Sequence, residues 1–336
     1  MNKKRSVNVL LLITILLFVV MYMAGIVIYG SKGFTHFQTF LNILINNAGL
    51  ICVTCGMTCV MLTGGIDISV GSLVAMDCMI IAVGVTRWMW PAWALILFIL
   101  AVGVLFGLVQ GFCIAYLEIQ PFIITMAGMF FARGMTAVLD VHQISVTDET
   151  FTKLSSLKIT LPFGGYTNPK GMYVAPFIRI SVIIALIVVL LTGFMLRKTR
   201  FGRSLYAVGG NQVSATLMGL DVKKTQLRAY VLSSVLTSIG GFCYVLNTMC
   251  GTTTQAVGME MSAISSAVIG GTLLTGGVGT IIGSVFGVLI NGTISSLVKF
   301  NGHLLASWAN IVTAFLLMLF IVLQAVFAKI REMQKK

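Results

Sequence analysis

An all-α bundle of about ten membrane-crossing helices is the architecture this sequence predicts, and three observations lead to it. Charged residues make up 9 % of the chain against 58 % hydrophobic, and the mean hydropathy is +1.02, so uncharged apolar runs recur from one end to the other. Runs of about twenty residues, wound as α-helix, match the roughly 30 Å hydrocarbon thickness of a bilayer. The runs are continuously apolar rather than alternating, which selects helices over a closed barrel, the other way to satisfy backbone polar groups in lipid.

In chain order the spans fall at 7–30, 39–62, 70–86, 92–116, 122–139, 173–196, 226–249, 260–275, 279–298 and 304–328. The first follows Lys3, Lys4 and Arg5 and has no small-residue cleavage pattern, so it reads as a retained helix and not a signal peptide. The third, fifth and eighth are short or glycine-rich, as tilted, broken or re-entrant helices are. Pro121 stands at the first turn of the fifth, where its missing N–H has no intrahelical partner to lose. Arg133, near the other end of that span, is placed to snorkel to the interface. An external loop, 140–172, has room for ordered structure but not for a domain with its own core.

The sixth span leads into a polar, basic segment, 197–225, which cannot cross lipid. Its Gly209-Gly210-Asn211 turn precedes a helix-length stretch ending at Gly219, with Asn211 in the N-cap position. A short helix along the cytoplasmic face suits the docking of a soluble partner; a solvated loop or a lipid-facing helix is the alternative. Charge supports this placement. With a cytoplasmic amino terminus, ten crossings put Lys3, Lys4, Arg5, Arg197, Lys198, Arg200, Arg203, Lys223, Lys224, Arg228, Lys329, Arg331, Lys335 and Lys336 inside, fourteen of the 22 basic residues. Lys32, Arg87, Lys153, Lys158, Lys170 and Lys299 fall outside. Both termini are thus expected in the cytoplasm, and the net charge of +13 reads as a topology signal and not as a nucleic-acid surface.

Thirty-five glycines are present, including Gly240-Gly241, Gly270-Gly271 and Gly276-Gly277. In lipid, small residues let helices approach closely; a double glycine can also mark an unwound segment beside a cavity. Between two apolar runs stands Leu62-Thr-Gly-Gly-Ile-Asp67-Ile-Ser69-Val-Gly71-Ser72. A carboxylate at membrane depth costs roughly 2.5 to 3.5 kcal/mol on insertion scales. Asp67 therefore caps the next helix, takes part in gating, or does both. Asp77 carries the same cost. Seven cysteines lie mostly in apolar spans, and the Cys52-x-x-Cys55 pair is one helical turn apart, a packing arrangement.

Gly-Lys never occurs, so the chain has no P-loop for ATP, and it has no metalloprotease or nucleophile-elbow motif. No catalytic residue, bound cofactor or metal ligand is expected. No relay of intramembrane carboxylates and histidines points to proton coupling.

Three stretches carry a resemblance: Leu62–Ser72; Pro121-Phe-Ile-Ile-Thr125 with Arg133-Gly134; and Thr199-Arg-Phe-Gly-Arg203, Tyr206-Ala-Val-Gly-Gly-Asn211, Ala215 and Gly219. Together, in this order, they resemble the permease subunits of ribose-type ABC sugar importers, over essentially the whole chain. Within that family, Phe122–Phe131, Leu217-Met-Gly219 and Val268–Thr280 look most like a galactofuranose importer permease. Ile68 stands where leucine is usual, and Glu118-Ile-Gln120 replaces a more basic lead-in. The resemblance implies a type II ABC importer fold in the cell inner membrane and a second permease subunit, identical or sibling. It also implies two cytoplasmic ATPase domains holding ATP and Mg, and an extracytoplasmic sugar-binding protein. Arg200, Gly202, Arg203, Gly210, Asn211, Ala215 and Gly219 would couple the permease to the ATPase. Asp67, Ser69, Asn46, Phe122, Thr125 and Asn247 are candidates for the route or its gate, with Asn42, Asn47 and Gln255 beside them. Each of these polar groups has helix–helix hydrogen bonding as its structural alternative. A related permease for another small solute, such as a branched-chain amino acid or autoinducer, and an ATP-independent channel are the competing readings.

Overall fold

The computed structural model describes residues 3–167 and 173–333. Lys170, Lys335, Lys336 and the last residues of the 140–172 loop lie outside the described residues. The fold is all-α and 75 % helical. Helices α1 (Lys3–Tyr29), α2 (Phe37–Leu62), α3 (Val70–Thr86), α4 (Ala92–Ala115) and α5 (Pro121–Leu139) come first. A polar excursion holds β1 (Ile144–Ser145), α6 (Glu149–Ser156), β2 (Lys158–Thr160), β3 (Tyr166–Thr167), β4 (Tyr173–Val174) and β5 (Phe177–Arg179). Helices α7 (Ile180–Lys198), α8 (Arg200–Gly210), α9 (Gln212–Leu217) and α10 (Val222–Thr248), strand β6 (Cys250–Gly251), and helices α11 (Met259–Ile269), α12 (Ile281–Asn301) and α13 (Ser307–Met333) complete it. Among the described residues eight helices are long and apolar enough to cross a membrane, and α3 and α11 are shorter apolar helices. The ten expected spans correspond one to one with α1–α5, α7 and α10–α13.

Helix α2 is the axis of the molecule, continuously buried from Ala48 to Leu62. Its small residues explain how neighbours crowd it: a Cβ on Gly49 would lie 2.8 Å from the Gly240 carbonyl, and one on Gly56 2.9 Å from the Ser233 Cα. Helix α4 meets α10 by the same device. Gly103, Gly107 and Gly111, four residues apart, face Ser238, Val231 and Leu227 with no room for a side chain. Helices α1, α5 and α13 lie at the periphery, with most of their apolar surface uncovered.

The basic residues from Arg197 to Arg228 gather at one end of the bundle, here termed the basic end. There Gly271 lies against Leu10 and the Gln324 amide donates to the Val268 and Thr272 carbonyls. The excursion between α5 and α7 marks the opposite, hairpin end, where β2 pairs with β5 and β3 with β4, both antiparallel.

Gly240-Gly241 stays helical and packs on α2 and α3, the close-approach reading of its small residues. Three expectations need correction. The sixth span begins at Ile180, not 173, because Phe177–Arg179 extends as β5 against β2, and Pro176 cannot sit inside a helix. The eighth ends at Ile269, where Gly271 takes a φ of 88° and the chain leaves the helix. Arg133 does not snorkel; its guanidinium donates to the Thr253 and Gln255 carbonyls at 2.9 and 2.8 Å.

Those carbonyls belong to a re-entrant segment. After α10 the chain turns at Met249, pairs β6 with β1, then runs back into the bundle. Gly251 lies against Met79 and Ala82, whereas Ala256 and Glu260 lie against Gly71, at the start of α3. The helical rise between Gly71 and Met79 measures this descent as about 12 Å. Helices α3 and α11 therefore begin at one level inside the bundle and run to opposite ends.

Candidate functional site

At the basic end the chain between α7 and α10 is built from caps. The Thr199 hydroxyl accepts from the Gly202 N–H and starts α8. The Asn211 carboxamide accepts from Ser214 N at 2.8 Å and starts α9, as its sequence position predicts. Gly219, at a φ of 78°, ends α9: its N–H bonds to Thr216 O and that of Leu220 to Ala215 O, the two bonds of a Schellman turn. Asp221 then caps α10 through Lys224 N, four residues earlier than the expected span start. Where the sequence suggests one helix after a Gly-Gly turn, the structure has two, with Gly209 and Gly210 forming the last turn of α8.

This segment is fixed to the bundle through backbone. Gly202 is pressed on Met195 and Leu196, and Gly209 on the Leu62 carbonyl. Gly277 donates its N–H to that same carbonyl at 2.9 Å, while Gly276 and Gly277, both left-handed, cover Gly209 and Gly210. Tyr206 donates its hydroxyl to Gly279 O at 2.9 Å. Thus α8, the end of α2 and the α11–α12 turn meet at glycine, with backbone touching backbone. Ala215 is buried on the inner side of α9, while Val213, Leu217 and Met218 are exposed, as are Arg200 and Arg203 in the first turn of α8.

From Leu62 the chain leads inward to Asp67, which is fully buried. Its carboxylate accepts from Ser69 N at 3.1 Å, from the Ser69 hydroxyl at 2.5 Å and from the Ser233 hydroxyl of α10 at 3.1 Å. The Ser69 hydroxyl is also 3.3 Å from the Gln110 carboxamide of α4. Ser69, not Asp67, occupies the capping position of α3. Asp67 instead ties the α2–α3 turn to α10. Ser233, its partner on α10, and Gln110, which meets Ser69, escape a sequence reading because single polar residues in long apolar spans carry no spacing signal.

The other route candidates separate into two groups. Asn46 is exposed and, with Asn47, Tyr244, Ser262, Asn310 and Thr313, lines a cavity of about 520 Å³ between α2, α11, α13 and the re-entrant segment. Among the described residues, no charged side chain lines it. Phe122 is 52 % exposed on the outer face of α5. Thr125 and Asn247, in contrast, are used within the protein: the Thr125 hydroxyl donates to Pro121 O of its own helix, and the Asn247 amide of α10 donates to Ile45 O of α2 at 2.7 Å. Asn42 accepts from Gln38, and Gln255 pins the re-entrant segment through Thr252 N, Thr248 and Cys250 O.

Residues 39–322 match the family described as branched-chain amino acid transport system / permease component. The chain is 38 % identical to the inner membrane ABC transporter permease protein YjfF of Escherichia coli, covering 94 % of this chain and 92 % of the relative. It is 35 % identical to the fructose import permease protein FruG of Bifidobacterium longum, over 93 % and 89 %. It is likewise 35 % identical to the ribose import permease protein RbsC of Escherichia coli, over 79 % of each. No solved structure matches.

Proposed function

The chain belongs to the branched-chain amino acid transport system / permease component family, and from that footing we propose that it is the membrane subunit of an ABC importer carrying a monosaccharide inward. ATP and Mg are held by a separate ATPase, which docks on α8 and α9 at the basic end, and that end faces the cytoplasm with both termini. A second permease and an external sugar-binding protein complete the assembly. ATPase closure displaces α9, the glycine junction passes the displacement to α2, to the Asp67 turn and to α11, and the bundle opens alternately to each face.

The observation that carries this reading is the α8–α9 segment: a capped, exposed apolar knob that follows the arginine-bearing α8, packed backbone to backbone on the helices around the buried interior. Its test is Leu217→Glu. Leu217 is 83 % exposed, so the change leaves folding unaltered, yet it buries a charge in the docking surface. Expected is at least about tenfold weaker ATPase binding, the scale of losing an interface anchor of about 2 kcal/mol, with ATP-driven uptake abolished. Normal uptake by this variant refutes the docking site.

For the cargo, the uncharged lining around Asn46 supports a neutral polyol. An amino acid would need charged or dipolar partners for its carboxylate and ammonium. The relatives named for fructose and ribose point the same way. Galactofuranose is the sugar we propose, on the resemblance of 122–131 and 268–280. Competition against labelled galactofuranose by ribose, fructose and leucine tests it, and preferential displacement by leucine overturns it. Flux through liposomes that contain the chain alone and ignore ATP would favour the channel reading.

A further inference from the structure

A second cavity, of about 720 Å³, opens at the basic end between α9, the α4–α5 connection and the Gly64-Gly65 turn. Its size falls in the range of about 300 to 1,000 Å³ usual for small-molecule sites. It shares no lining residue with the Asn46 cavity. Its floor is Tyr230, whose hydroxyl donates to Ile66 O at 3.4 Å, one residue from Asp67. Gly65 packs directly on the Tyr230 hydroxyl, where a Cβ would not fit.

The chemistry of the lining selects the ligand. The charges at the rim cancel: Lys223 lies 2.9 Å from Glu118, and Lys224 lies 3.0 Å from Asp221. The groups left for a ligand are uncharged. The carboxamides of Gln120, Gln212 and Gln226 line the cavity and bond to no protein group among the described residues. The Thr63 and Thr216 hydroxyls donate to Val60 O and Gln212 O, which leaves their lone pairs as acceptors. Carboxamides that both donate and accept, together with acceptor hydroxyls, suit a compact neutral polyol. An anion such as a sugar phosphate or nucleotide would find no unpaired cation in the lining.

One wall is α9 itself, through Gln212, Val213 and Thr216, and the opposite wall is the base of α5. A ligand bridging the two walls ties the docking helix to the bundle. Resting on the import reading above, we infer that this cavity binds free monosaccharide from the side to which it is delivered, and that its occupancy immobilises α9 and slows further import.

The test uses the complete transporter in proteoliposomes, with ATP in the lumen, binding protein and labelled sugar outside, and galactofuranose, ribose, fructose or galactose preloaded inside at millimolar concentration. Expected is a several-fold fall in initial uptake with at least one preloaded sugar. Gln120→Ala and Gln226→Ala each raise the half-inhibitory luminal concentration about tenfold, the loss of one or two hydrogen bonds, while uptake into sugar-free vesicles is unchanged. Hydrogen exchange of 212–226 slows with the same sugars. Uptake into sugar-free vesicles that no luminal sugar slows overturns the inference and leaves the import reading standing. Inhibition unaltered in both variants also overturns it, placing the effect elsewhere. Absence of any ATP-driven sugar uptake into empty vesicles overturns the import reading itself.

Discussion

Asp67 accepts three hydrogen bonds, two from Ser69 and one from Ser233, with no cation among its bonded partners. Removing one partner leaves a buried polar group unsatisfied, at about 1 to 3 kcal/mol. Ser233→Ala should therefore lower thermal stability in detergent by that amount. Asp67→Ala, which strands donors on two elements, should cost more and abolish uptake; equal melting curves for the three proteins would dismiss the network. At the rim of the second cavity, the Lys223 hydrogen bond and charge hold the Glu118 carboxyl below its usual value, and the Lys224 N–H does the same for Asp221. A depressed carboxylate stabilises the fold above its unfolded pKa of about 4, and that contribution disappears as pH falls through the lower folded value. A spin label at position 213 should gain mobility as pH drops below about 4, and the Glu118→Gln/Asp221→Asn double variant should show no such step. Sequence made the carboxylate at 67 conspicuous, because a charge in an apolar run is costly. It gave no access to Ser233, 166 residues away on another helix.

Among elements, the glycine junction makes the sharpest distinction. A methyl at Gly209 would overlap the Leu62 carbonyl, whereas one at Gly210 meets nothing within 4 Å. Overpacking costs about 1 to 3 kcal/mol, so Gly209→Ala should reduce uptake about tenfold or more while Gly210→Ala transports normally. Matching rates in the adjacent variants would remove the junction from the coupling path. Much of this level was legible. The Asn211 cap, the glycine end of α9, the Pro121 start of α5 and the brevity of α3 and α11 all follow from capping chemistry and span length. The re-entrant descent after α10 was not, because the residues between Cys250 and Gly258 are neither apolar enough for a span nor polar enough for a loop. What fixes them is tertiary, the Arg133 guanidinium on the Thr253 and Gln255 carbonyls. The Gly103, Gly107, Gly111 stripe could have been found from its four-residue spacing, which gives α4 one small face for α10.

For the whole molecule, the arrangement of ten spans puts α8 and α9 at one end and the β-hairpins at the other. In a cysteine-free background, a thiol at position 213 should react with an impermeant maleimide only in inside-out vesicles, and one at position 163 only in intact cells. The reverse pattern would invert the proposed orientation. The length of α11 has a further consequence, for how the chain is made. Eleven residues at 1.5 Å each reach about 16 Å, half the depth of the hydrocarbon layer. A segment so short has no favourable resting place as a lone helix released from the ribosome into lipid. Ser266 and Gly270 fit directly against Gly287 and Gly283 of α12, and the Asn291 amide holds Ser262 and Ser266. Biogenesis must therefore hold α11 back until α12 has emerged, and deliver the two together as one hairpin.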